Sequence, residues 1–146
     1  MDSFAEEILS KILTPPQLGG LTSKLGEARV LALQGDLGAG KTAFVKSLGK
    51  ILGVKKTILS PTFIIMKSYK LKAGNWKLLI HIDAYRIENE NELEILGWDD
   101  LIKNPENLIA LEWPEKVRNL IPKTAKTIKF EFVDESTRGV FITQNI

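Results

Sequence analysis

Cysteine is absent from the chain, so neither a disulfide framework nor a thiolate metal site can form, and a bound metal has to be held by oxygen ligands. That fits a reducing compartment. No apolar run approaches the roughly 20 residues that span a bilayer, and the opening stretch Met1-Asp2-Ser3-Phe4-Ala5-Glu6-Glu7 is acidic, which argues against a secretory leader. The expectation is a soluble, cytoplasmic protein. A surplus of one charge is also missing: the formal net charge is +2, too small to announce nucleic-acid binding by itself. Internal repeats and low-complexity segments are absent as well. What remains, 146 residues that are 44% apolar and 26% charged, has the length and make-up of one globular domain spanning 1–146.

Phe4, Ile8, Leu9, Ile12 and Leu13 recur at helical spacing, and Thr14-Pro15-Pro16 ends that helix. A second short helix is expected around Leu18 to Leu25. Val30-Leu31-Ala32-Leu33-Gln34 is a short apolar run of buried-strand type, and it leads directly into a glycine-rich loop. A helix from Lys41 to about Leu52 should bury Phe44, Val45, Leu48 and Leu52, with Gly53 as its stop. Strands are expected at Thr57 to Leu59, Phe63 to Tyr69 and Trp76 to Asp83, the last two forming a hairpin around Lys72-Ala73-Gly74-Asn75. Glu90 to Lys103 reads as helix interrupted at Gly97, and Leu108-Ile109-Ala110-Leu111 as a buried strand closing on Glu112. Thr127 to Val133 and Val140 to Gln144, joined by Asp134 to Gly139, form a terminal antiparallel hairpin. The fold class is therefore α/β, a P-loop NTPase-like mixed sheet flanked by helices, with its phosphate site at the strand ends.

The loop is Gly35-Asp36-Leu37-Gly38-Ala39-Gly40-Lys41-Thr42, a Walker A sequence between a strand and a helix. A polyphosphate needs many inward-pointing N–H donors, and glycine lets the backbone curl that tightly around the oxygens. The helix start supplies unpaired amides and a positive dipole end, Lys41 a mobile cation, and Thr42 a hydroxyl for Mg²⁺. Hydrolysis also needs a carboxylate at a neighbouring strand end. Glu112, preceded by four apolar residues, is the candidate for that place, in the metal's coordination shell or polarising the attacking water; the alternative is a solvated strand-end carboxylate.

Other residues admit two readings each. Asp83 ends Leu78-Leu79-Ile80-His81-Ile82 and serves either a water or metal contact or a helix N-cap. His81, the lone histidine, sits on an apolar strand, where a structural role outweighs a general base. Arg86 contacts phosphate or pairs with acidic neighbours; Ser60-Pro61-Thr62 senses the γ-phosphate as a switch or is a plain turn. Trp113 either walls the site or packs in the core. Glu115 and Arg138 are candidates to border the nucleotide. Lys67, Lys70, Lys72 and Lys77, on or beside one hairpin, either touch a nucleic acid directly or form a solvated face.

Taken together and in order, Gly35 to Thr42, Ser60-Pro61-Thr62-Phe63, His81-Ile82-Asp83-Ala84-Tyr85-Arg86, Glu92-Leu93-Glu94-Ile95-Leu96-Gly97 and Glu112-Trp113-Pro114 closely resemble the TsaE family. These are small bacterial ATPases required for making threonylcarbamoyladenosine in tRNA. The resemblance covers roughly residues 28 to 122; the segment through Pro15-Pro16 departs from the family's opening. It implies that Leu37, Gly38, Ala39, Gly40, Lys41 and Thr42 bind the ATP phosphates, that Thr42 and Glu112 bind Mg²⁺, and that Asp83 serves the site from a switch-like segment. It further implies TsaB and TsaD as partners, tRNA as the modified molecule, and hydrolysis that resets the complex between rounds rather than making the new bond.

Competing classes lack their own signatures. No Asn-Lys-x-Asp is present and no Asp-x-x-Gly follows a buried strand, against a regulatory GTPase; no arginine-rich lid follows Glu112, against a small-molecule kinase. A non-catalytic ATP-gated adaptor, contacting partners through Trp98 or Trp113, differs from the enzyme only in turnover.

Overall fold

The structure, a computed structural model, describes residues 2–13, 26–58, 65–134 and 137–143. Six strands form one sheet among these residues: β1 (Arg29–Gln34), β2 (Met66–Lys70), β3 (Leu78–Asp83), β4 (Asn107–Glu112), β5 (Lys126–Asp134) and β6 (Thr137–Thr143), in the order β2-β3-β4-β1-β5-β6. The four central strands run parallel, and each edge is closed by an antiparallel neighbour, β2 on β3 and β6 on β5. The hairpin of Met66–Lys70 with Leu78–Asp83 and the C-terminal hairpin are both as the sequence indicates. Every residue of β4 is buried, as expected of a strand covered on both faces.

Strand parity divides the core. Leu31 and Leu33, Leu79, and Leu108 and Ala110 join one cluster with the buried faces of α1 (Asp2–Leu13) and α2 (Lys41–Ile51). Val30, Ile80, Ile82, Ile109 and Leu111 turn the other way, onto Leu93 of α3 (Asn91–Ile95), Trp98 of α4 (Trp98–Ile102) and Val117. Phe44 links the layers on the first face, its ring 5.7 Å from Phe4 and 5.6 Å from Phe130. Phe44, Val45, Leu48 and Leu52 are all buried as the helical pattern predicts. Gly53, at φ 79°, stops the helix, and Gly97, at φ 95°, separates α3 from α4.

Several boundaries differ from expectation. Thr57 and Ile58 are not in a strand; Ile58 instead packs on α2, where a Cβ added at Gly49 would stand 2.1 Å from its Cδ1. Packing against a bare helix face replaces strand pairing there. Trp76 and Lys77 precede β3 rather than joining it. The last two strands approach more closely than expected, to Asp134 and from Thr137. The helix expected around Leu18 to Leu25 and the Ser60-Pro61-Thr62 segment lie outside the described residues.

Candidate functional site

The β1–α2 loop adopts backbone conformations that few residues other than glycine reach. Gly38 (φ 79°) and Gly40 (φ 106°) are left-handed, and a Cβ on Gly35 (φ 150°) would stand 2.6 Å from the Phe130 carbonyl oxygen. The Ala39 amide donates to Asp36 O at 3.1 Å, closing the turn. Gly40 is the N-cap of α2 and supplies no side-chain acceptor, so the amides of the first turn are left for a ligand.

Lys41 is 4% exposed although it carries a charge. Its Nζ donates to Gly35 O and, at 3.4 Å, to Asp36 O, and stands 3.8 Å from the centre of the Trp113 ring. Burial pushes this ammonium below its ordinary pKa, against the opposing pull of Glu112, Glu115, Asp83 and Asp36.

The carboxylates arrive by strand parity. Asp83 lies opposite Glu112 in the β3–β4 register, and Glu112 lies opposite Leu33 on β1, so three parallel strands end side by side beneath the loop. Residues 79, 81 and 83 of β3 and 108, 110 and 112 of β4 share the face that α2 covers. Glu112, 3% exposed, accepts from Thr42 Oγ1 at 3.1 Å through Oε2 and 3.3 Å through Oε1. Its Oε2 is also 2.5 Å from His81 Nε2. An ionised carboxylate only accepts, so the imidazole donates from Nε2; its Nδ1 is buried and has no partner among the described residues.

Asp83 Oδ1 accepts the Tyr85 amide at 3.0 Å. This is a two-residue side-chain turn, and no helix begins there, which removes the N-cap reading. Desolvation raises the Asp83 pKa above the usual aspartate value, with Glu112 adding to it, while the Tyr85 bond, His81 and Lys41 oppose. The ionised form therefore burdens the fold above the raised pKa, and the burden vanishes below the ordinary value of 3.8. Asp83→Asn, which keeps an acceptor for Tyr85, is expected to match or exceed the wild type in Tm at pH 7, and its advantage should shrink as pH falls toward 4; thermal melts from pH 4 to 8 check this.

Trp113 follows Glu112 in a left-handed conformation (φ 59°, ψ 52°) and caps the 3₁₀ segment Pro114–Leu120. Its ring lies 5.0 Å from that of Tyr85, tilted by 48°, and carries the Lys41 ammonium over its face. A cavity of about 240 Å³ results, lined by Leu37 to Ala43 together with Asp83, Glu112 and Trp113.

The structure thus brings together Leu37, Gly38, Ala39, Gly40, Lys41, Thr42, Asp83 and Glu112, with Gly35 at the base of the loop. Glu115 is exposed on the 3₁₀ segment, outside the cavity lining, and acts on Lys41 through its charge. Thr62 and the side chain of Arg138 lie outside the described residues. Two contacts do not follow from the sequence pattern: His81 on Glu112, and the Tyr85–Trp113–Lys41 cluster. The alternation Leu79-His81-Asp83 was the available signal for the first.

The residues fit a nucleotide with magnesium. The glycine cradle and uncapped helix start suit phosphate oxygens, and the Thr42 hydroxyl and Glu112 carboxylate lie in contact with each other at the cavity edge. Among the described residues no group of three or more His, Cys, Asp or Glu is placed to hold a metal ion.

A glycine-rich loop entering a helix beneath parallel strand ends that carry carboxylates defines a P-loop NTPase-like protein. A crystal structure described as that of Bacillus subtilus YdiB shares the fold, with a TM-score of 0.66 at 24% identity over 99% of this chain and 82% of that one. Residues 14–140 match the family described as Threonylcarbamoyl adenosine biosynthesis protein TsaE. Three proteins named tRNA threonylcarbamoyladenosine biosynthesis protein TsaE are similar to this chain. The one from Aquifex aeolicus is 37% identical over 79% of this chain and 77% of its own length. The one from Rickettsia felis is 33% identical, covering 86% and 71%. The one from Haemophilus influenzae is 30% identical, covering 81% and 72%. The chain belongs to the TsaE family. No helix among the described residues is long and apolar enough to cross a membrane.

Proposed function

We propose that the chain is the Mg²⁺-dependent ATPase of the tRNA threonylcarbamoyladenosine machinery, working in the cytoplasm with TsaB and TsaD homologues and resetting their complex between rounds. The observation that carries this reading is the chain of contacts from Thr42 through Glu112 to His81 at the mouth of the phosphate loop, with Lys41 held beside it.

Each side chain has a chemical part. The loop amides and Lys41 bind and orient the phosphates, and Lys41 meets charge that develops on the transferring group. Thr42 and Glu112 would hold Mg²⁺, which when bound acts as a Lewis acid toward the phosphate oxygens. Asp83, partly desolvated beside Glu112, orients water at the strand ends. His81 is a positioning residue: it touches no substrate and fixes the Glu112 carboxylate from below.

Support for partner dependence comes from the rim. Leu37 at the loop tip is 70% exposed and Tyr85 is 40% exposed, so apolar side chains flank the cavity where a partner would bury them. Different contacts to ATP and ADP would then shift the population of the bound complex.

The test is steady-state hydrolysis by the purified chain, alone and with TsaB, TsaD and tRNA, beside Lys41→Ala. Stimulation of about tenfold or more by the partners, lost in the variant, is expected of such an allosterically coupled enzyme. ATP binding without turnover in every combination would replace the enzyme by an ATP-gated adaptor.

A further inference from the structure

At the far end of the sheet from the phosphate loop lies a second cavity, of about 400 Å³, built by different chain segments. β3 leaves the sheet at Asp83 in the nucleotide site but enters it at Leu78, which lines this second cavity. Six strand residues separate the two places by about 17 Å.

The lining is one-signed. Lys55 and Lys56, following α2, face Lys70 and Lys72 at the end of β2, and no carboxylate lines the space. None of these four lysines has an ion-pair partner among the described residues, whereas Lys50 pairs with Asp2 and Lys77 with Glu106. All four are exposed, and like charges around one cavity without a counter-charge contribute nothing favourable to the folded chain alone.

The cluster is also held in place. The amides of Lys72 and Ala73 both donate to Leu52 O, at 3.0 and 3.1 Å, tying the β2–β3 turn to the end of α2. Gly53 permits the approach, since a Cβ there would stand 2.8 Å from the Lys72 Cβ. On the cavity wall Tyr69 is 5% exposed, and its buried hydroxyl has no partner among the described residues.

Resting on the proposed role in tRNA modification, we propose that this cavity binds adjacent phosphates of an RNA backbone, at a site separate from the nucleotide loop. Lysines suit phosphate as point charges; the lining has no Arg, Asn, Gln or Trp, and its one aromatic ring, Tyr69, is buried, so recognition is of backbone rather than sequence. The set differs from the hairpin lysines that stand out in the sequence. Lys67 does not line the cavity and Lys77 is neutralised by Glu106, while Lys55 and Lys56 join from 14 or more positions earlier in the chain.

Fluorescence anisotropy with the full chain, a labelled tRNA transcript and a labelled oligouridylate, across a salt series, tests this. Both RNAs should bind with similar affinity, and log K should fall against log salt with a slope of about −3, as for four contacts. Lys55→Glu/Lys56→Glu/Lys70→Glu/Lys72→Glu should weaken binding at least tenfold and flatten the slope. Lys103→Glu/Lys123→Glu should change little, and Lys41→Ala should bind RNA as the wild type does. Equal loss in the two charge-reversal variants would overturn the proposal. So would binding of tripolyphosphate at the cavity without binding of either RNA, which would make it a site for free phosphate compounds.

Discussion

Glu112→Gln is expected to lower kcat for ATP hydrolysis by about 10²–10³-fold while leaving ATP affinity within severalfold, the size of effect seen when one preorganised transition-state contact is removed. Glutamine keeps an acceptor for His81 Nε2 and for the Thr42 hydroxyl, so the apo fold should persist. Glu112→Ala should lose turnover to the same degree and stability in addition, because it leaves a buried imidazole donor unpaired, a defect worth about 1–3 kcal/mol. His81 separates positioning from packing. His81→Gln retains a donor near Oε2 and should keep most of kcat, whereas His81→Leu should lose about tenfold or more of kcat with KM little changed. Since His81 is the only histidine, its ring nitrogens give unambiguous ¹⁵N signals, and protonation at Nε2 in the wild type, altered in Glu112→Ala, reports the contact without any turnover. Unchanged hydrolysis in Glu112→Gln would remove Glu112 from the mechanism.

The parts of this site that sequence makes legible are those in which spacing fixes geometry. Residues 35–42 must curl because only their glycines tolerate φ values of 79° and 106°, and strand β1 before them is bounded by polar and apolar pattern alone. Glu112 and Asp83 are visible as charges that end apolar runs. Their meeting depends on the register of β3 with β4, which no local pattern specifies, although parity does place His81 on the same face as both. The packing of Trp113 between Tyr85 and Lys41 is less accessible still. It depends on a left-handed tryptophan held by its neighbours, a conformation that side-chain identity alone disfavours. Ile58 shows the converse failure, a β-branched residue with strand propensity whose place is set by a gap at Gly49 of the facing helix. The second cavity follows the same logic, since Lys55 and Lys72 are neighbours only because the β2–β3 turn is bonded to Leu52.

Lys41→Met should separate stability from function in opposite directions. In the apo protein the Lys41 ammonium is desolvated enough that its folded pKa falls below the ordinary 10.5 despite nearby carboxylates. A base with a depressed folded pKa burdens the fold at every pH below that pKa, and the burden disappears only as pH rises through it to the unfolded value. At neutral pH the cost is therefore fully present. Methionine keeps the apolar stem and a favourable contact with the Trp113 ring, and the freed Gly35 and Asp36 carbonyls lie in a partly or fully exposed loop where water can reach them. Tm of apo Lys41→Met should thus equal or exceed that of the wild type. Addition of ATP and Mg²⁺ at a hundredfold excess over Kd should stabilise the wild type by about 2.7 kcal/mol, roughly 5–10 °C for a domain of this size. The variant should show little of that shift and no measurable hydrolysis. An apo Tm well below the wild type would mean that the pull of Glu112, Glu115, Asp83 and Asp36 outweighs desolvation, and that Lys41 holds the site together before any nucleotide arrives.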